Sequence, residues 1–247
     1  MKVEEDNEQI CSLLEAAEDA DDSQTAIELA EKILALDSNN VRAWLVRAEA
    51  ETEDVSLALN AYRRAAEAGR IELGGEEFFL EEEGRFWEIL ESRPYMRARL
   101  GEALCLYEQG LAEETTAVLR EMLRLNPADD QGARYILLTT LLELNLPDEA
   151  LDLIEDYKGD TSPVWLYGKA LADFVNLGPE MARPSRQRAV DAWPNVAAYL
   201  AQTMPLPDGD PDEPYAEADD EALCALEMRT AWGQYPKALG WLLEEVE

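Results

Sequence analysis

Two short groups of residues have the side-chain types to grip a partner: Arg97, Tyr107 and Glu108, then Gln131, Arg134 and Tyr135. Arginine and tyrosine present planar surface that loses little entropy on contact. The competing role for Arg97 and Arg134 is ion pairing with acidic neighbours, and Tyr107 and Tyr135 also fall at packing positions. Glu82 and Glu88 supply the carboxylates of a general acid–base pair, but nothing nearby orients them and they fit a solvated helix face. Asp208, Asp210 and Asp212 alternate like the first ligands of a calcium loop, with Asp219 at its twelfth place. Glu213 stands where the sharp turn needs glycine, and Pro211 and Pro214 stiffen the segment, which favours a solvated acidic loop over a metal site.

Absences narrow the chemistry further. The chain has no histidine, which removes the Ser-His-Asp and Cys-His pairs and the commonest general base. Gly74-Gly75 is an isolated pair and lacks the frame of a phosphate-binding loop. Cys11, Cys105 and Cys224 are far apart and include no CxxC, so they read as reduced thiols, Cys105 as packing. The expectation is a non-enzyme with no cofactor and no bound metal. Acids outnumber bases 54 to 21, a formal net charge of −33. Such a surface repels nucleic acid and anionic membranes and favours a basic protein or peptide. No apolar run reaches the ~20 residues that span a bilayer. The polar, acidic start MKVEEDNEQ does not resemble a targeting segment, so a cytoplasmic location is expected. The acidity fits either a high-salt cytoplasm or a compositional bias towards arginine over lysine.

The elements that position these residues are helices. In residues 93–150, Ala103, Leu104, Tyr107, Gly110, Leu119, Leu123 and Pro127 mark one helix–turn–helix unit. Tyr135, Leu138, Leu142, Asn145 and Ala150 mark a second in corresponding places. Gly110 closes a helix through a left-handed backbone, and Pro127 stops the next while pushing Asn126 out of helical geometry. The spacing of roughly 34 residues is the tetratricopeptide period. The fold expected is therefore all-α: a tetratricopeptide-like superhelix of helical hairpins, an α-solenoid, with an irregular insertion and a C-terminal helical cap.

The chain divides accordingly into an acidic helix (1–22), N-terminal repeats (23–68), an aromatic and acidic insertion (69–92), central repeats (93–195) and a cap with an acidic proline-rich loop (196–247). Ser23 or Thr25 is expected to cap the second helix, and Gly69 to close the second pair. Pro147 and Ser162-Pro163 begin helices, and Gly178-Pro179 ends one. Phe78, Phe79, Phe86 and Trp87 set the insertion apart from a disordered linker. Either it is an irregular connection covering core, or it plugs the binding groove. Trp232, Leu239, Trp241 and Leu242 make the C-terminal end apolar enough to dock.

RPYMRAR (93–99), LREMLRLNPADDQGARYILL (119–138) and WPNVAAYLAQTMPLP (193–207), with EEFFLEEEGRFWEILES and the closing PKALGWL, resemble bacterial members of the suppressor-of-tumorigenicity-seven-like family of repeat proteins. The likeness spans roughly residues 25–246, with Asp130 where that family usually has asparagine. It implies a helical interaction scaffold and brings no catalytic residues. The family's eukaryotic members are membrane-associated; the lack of a spanning segment argues against carrying that property over. Repeats that clamp a chaperone's terminal carboxylate need Lys and Asn early on their first helices, where this chain has Leu100, Leu104 and Leu138. The function expected is a scaffold or adaptor that binds a partner through its concave face or acidic surface. The alternatives are a regulatory subunit whose groove holds its own insertion, and a carboxylate-based hydrolase.

Overall fold

The computed structural model describes residues 2–206 and 219–244. Asp208, Asp210 and Asp212 of the candidate calcium loop lie outside them, while Asp219 is described and accepts from the Ala222 backbone N–H at 2.9 Å. The described residues form fourteen α-helices and two short 3₁₀ turns, with no strand. They divide into two compact units, Met1–Ala133 and Arg134–Glu247.

The N-terminal unit runs α1 (Lys2–Glu18), α2 (Ser23–Leu36), α3 (Val41–Ala50), α4 (Val55–Glu72), α5 (Glu76–Glu81), α6 (Arg93–Glu108) and α7 (Ala112–Leu125), with 3₁₀ turns at Phe86–Glu88 and Leu90–Ser92. Each helix of the pairs packs on the next, and the first helices also meet, α1 on α3 and α3 on α6. The cap of α2 is neither Ser23 nor Thr25: Asp22 accepts from the Thr25 backbone N–H at 2.8 Å and from its hydroxyl. A carboxylate there answers both the orphan N–H and the positive end of the helix dipole. Asn40 and Asp54 cap α3 and α4 in the same way.

Gly69 does not end the second pair either. Helix α4 continues through it to Glu72, and the stop comes at Gly74 (φ 95°) and Gly75 (φ 72°). Gly69 is used for closeness instead: a Cβ there would lie 3.2 Å from the Cβ of Tyr95 on α6. Gly101 of α6 serves α4 reciprocally, because the Tyr62 ring fills the volume a side chain would take. Gly to Ala inside a helix normally stabilises by about 0.5–1 kcal/mol. At Gly101 the sign should reverse, with Gly101→Ala costing about 1–3 kcal/mol through overpacking against the ring. Urea unfolding checks this; an unchanged or raised midpoint would mean that Tyr62 is free to move aside.

Gly110 (φ 72°) and Asn145 (φ 57°) take the left-handed conformation just after the helices that end at Glu108 and Glu143, and α7 stops at Leu125, where Asn126 (φ −140°, ψ 81°) leaves helical geometry. The expected insertion folds onto α4 and α6. Phe79 and Phe86 are buried edge-to-face against Tyr95, with centroids 4.9 and 6.1 Å away. Arg70 stacks on Phe79, and Arg93 stacks on Trp87 while donating to its carbonyl.

The C-terminal unit contains α8 (Ala133–Glu143, entered at the unit boundary), α9 (Pro147–Asp156), α10 (Pro163–Leu177), α11 (Arg183–Ala192), α12 (Val196–Leu200), α13 (Asp220–Gly233) and α14 (Pro236–Leu242). Pro147 and Pro163 stand in the first turn of their helices, where a missing N–H costs nothing. Helix α10 is the centre of this unit: α9, α11, α13 and α14 all pack on it. The terminal tryptophans dock there, Trp232 against Tyr167 and Trp241 against Phe174. Arg186 is buried beneath α14, donating to the carbonyls of Leu242 and Glu244 at the helix's negative end.

Candidate functional site

An open groove of about 630 Å³ lies in the N-terminal unit. Its walls come from α1, α3 and α6, the first helices of successive pairs, and its corner from the α1–α2 turn. Small and branched side chains line it: Ala17, Ala20, Ala26, Leu45, Val46 and Ala50, with Pro94 at the α6 side. Alanine at these places is what keeps the groove open.

Two ion pairs tie its walls together. Arg42 of α3 holds Glu18 of α1 bidentately, both oxygens at 2.7 Å, and Arg97 of α6 holds Glu49 of α3 at 2.7 Å. The pattern repeats: a carboxylate near the end of one first helix meets an arginine near the start of the next. All four side chains are 42–56% exposed, so each pair contributes only about 0.2–1 kcal/mol and fixes register more than stability. The Tyr62 hydroxyl, pushed up to about 12 by burial and by Glu49, stays neutral beside this pair. Asp21 has no ion-pair or hydrogen-bond partner among the described residues.

The other expected contact residues are dispersed. On α6, Tyr107 is half-buried and Glu108 exposed. Gln131 is half-buried and donates to the Met96 carbonyl at 3.4 Å. Arg134 and Tyr135 belong to a cluster inside the C-terminal unit. There the Arg134 guanidinium pairs with Asp160 at 2.9 Å and lies over Tyr135, Tyr157 and Trp165, 4.4–5.9 Å from their centroids. The Tyr135 hydroxyl donates to the same Asp160 oxygen at 2.7 Å. Burial works against Asp160's charge, but hydrogen bonds from the Ser162 backbone, Tyr135 and Arg134 outweigh it and hold the carboxyl below its ordinary range. Sequence spacing could not reveal this cluster, because Asp160 sits in a loop whose only local signal is the turn before Pro163.

A second hollow, about 280 Å³ between α4, α6 and α7, is internally neutralised. Arg99 reaches Glu102 and Glu121, and Arg63 shares Glu102 at 3.1 Å. Burial opposes the Arg99 charge, yet Tyr95, Glu102 and Glu121 more than offset it and raise its pKa further. Glu82 and Glu88 flank a common partner, Arg85, at 3.4 and 3.6 Å, but not on the helix face expected: Glu82 and Arg85 lie in the loop after α5, and Glu88 in the 3₁₀ turn that follows. Among the described residues no cluster of three or more Cys, Asp or Glu could hold a metal ion, and no helix is long and apolar enough to cross a membrane.

No family model matches this sequence, and no curated protein matches it. A solved structure does. The crystal structure of YrrB, described as a TPR protein with an unusual peptide-binding site, aligns with a TM-score of 0.59 and 18% identity. The match covers 82% of this chain and 97% of that one. At that identity the likeness establishes architecture alone, and the architecture is the helical-hairpin fold of the tetratricopeptide repeat proteins.

Proposed function

We propose that this chain is a non-enzymatic scaffold that holds a segment of another protein against the first helices of its repeats. The observation that carries the reading is the open groove on α1, α3 and α6, whose lining contains no residue of the 69–92 insertion. The insertion's rings are spent on Tyr95 and on one another, which supports its role as a connection covering core rather than a plug. A fold shared with a peptide-binding TPR protein supports the same class of partner. Of the six residues expected from sequence, Arg97 lines the groove. Tyr107, Glu108 and Gln131 extend the proposed contact surface, and Arg134 and Tyr135 give the second unit its own candidate surface. The partner is basic, as a net charge of −33 favours. The compartment is the cytoplasm, and the family is that of the bacterial suppressor-of-tumorigenicity-seven-like proteins, on the motifs quoted above.

The test is capture of extended peptides from a random array by the wild-type chain and by Ala50→Trp, which fills the groove. Peptides should bind the wild type and be lost from the variant, with the circular dichroism of the two alike. Peptides that bind both equally, or none at all, would overturn the groove as the site.

A further inference from the structure

The geometry points to a lysine- or arginine-bearing extended segment as the occupant of the α1–α3–α6 groove, its cationic head on Asp21 and its aliphatic stem along the alanine floor. The inference rests on the groove being the binding site and adds what the groove selects. The lining carries four carboxylates, Glu18, Asp21, Asp22 and Glu49, against two guanidiniums, Arg42 and Arg97. Both guanidiniums are committed to Glu18 and Glu49. Asp22 is committed to the α2 cap, where the Thr25 hydrogen bonds keep it ionised.

An incoming anion would have to pull an arginine off its carboxylate and leave that carboxylate unpaired in a strongly negative field. A cation disturbs nothing, because Asp21 is the one lining charge without a partner among the described residues. It sits at the α1–α2 turn beside Ala17, Ala20 and Ala26. That juxtaposition suits a side chain with an apolar stem and a charged tip, which can cover small apolar residues while its head stays wet. A charge-assisted hydrogen bond to a carboxylate then gives the preference.

Amidated, acetylated heptapeptides of alanine and valine with one central variable residue make the probe, read by fluorescence anisotropy at low salt. Lysine and arginine peptides should bind, norleucine about tenfold more weakly, and glutamate more weakly still. Asp21→Asn should reduce lysine and arginine binding about tenfold and leave the norleucine peptide unchanged. Asp21 caps no helix, so this variant should fold. If all four peptides bind alike, or Asp21→Asn weakens them equally, the cation preference is wrong. Ala50→Trp separates the two levels: loss of every peptide with no ranking among them sinks the preference and leaves the groove, whereas binding untouched by Ala50→Trp sinks both.

Discussion

Replacing Phe86 with alanine should cost the N-terminal unit about 3–5 kcal/mol, measured as a lower urea midpoint at unchanged slope. A loss of that size is a large share of the 5–15 kcal/mol that holds a typical domain together. Phe86 has no solvent exposure, and its ring meets Phe78, Phe79 and Tyr95 edge-on at 5.6, 4.8 and 6.1 Å. Its backbone is fixed as well, since the Ser92 hydroxyl donates to the Phe86 and Ile89 carbonyls. Removing the ring therefore opens a cavity under a segment that cannot collapse into it. A detachable lid would behave in the opposite way: Phe86→Ala would leave the midpoint where it is and strengthen peptide binding. That result would reinstate the reading in which the insertion blocks its own groove.

What the sequence makes legible here are events decided within one turn of helix. Gly110, Asn145 and Gly178 end helices because their backbones must turn left-handed or leave the helix, and Pro147 and Pro163 begin them because their missing N–H is tolerated there. None of these depends on what packs above. Gly69 illustrates where such reading fails, since its absent side chain answers Tyr95, 26 positions later, and not the local backbone. Asp22 caps α2 where Ser23 or Thr25 is the expected cap, because its carboxylate accepts from both the amide and hydroxyl of Thr25.

The groove has the same character. Arg97 is recognisable by type as a candidate contact residue, but its partner Glu49 lies 48 positions upstream and on a different helix. Asp21, Ala17, Leu45 and Val46 carry no motif; only the stacking of α1, α3 and α6 brings them to one surface. At Arg134 too the residue type is legible, whereas its engagement by Asp160 and three aromatic rings is not. The hairpin pattern is thus local and readable, whereas the groove is a product of register between helices.

Raising sodium chloride from low to molar levels should raise the melting temperature while weakening any basic partner, the association rate falling by one to three orders of magnitude. Even if every one of the 21 bases neutralised an acid, 33 acids would remain, and their repulsion opposes the compact state. The structure locates part of this excess. Around the α1–α2 turn Glu18 pairs with Arg42 and Asp22 caps α2, while Asp19 and Asp21 stand beside them without ion pairs among the described residues. On α5 and the loop after it, Glu76 meets Arg70, Glu82 meets Arg85 and Glu83 meets Arg124, leaving Glu77 and Glu81 exposed next to them. Salt also weakens these exposed pairs, but each is worth only about 0.2–1 kcal/mol, and the uncompensated charges outnumber them. Shortening the Debye length from ~10 Å at 0.1 M to ~3 Å at 1 M therefore relieves more repulsion than it removes attraction. The same screening strips the long-range pull on a cationic segment approaching Asp21, so stability and affinity should move in opposite directions. A flat melting temperature would mean that the acids are spaced widely enough not to interact, and adaptation to a salty cytoplasm would lose its physical basis. Affinity holding steady across the series would instead count against a basic partner, whatever the melting curve does.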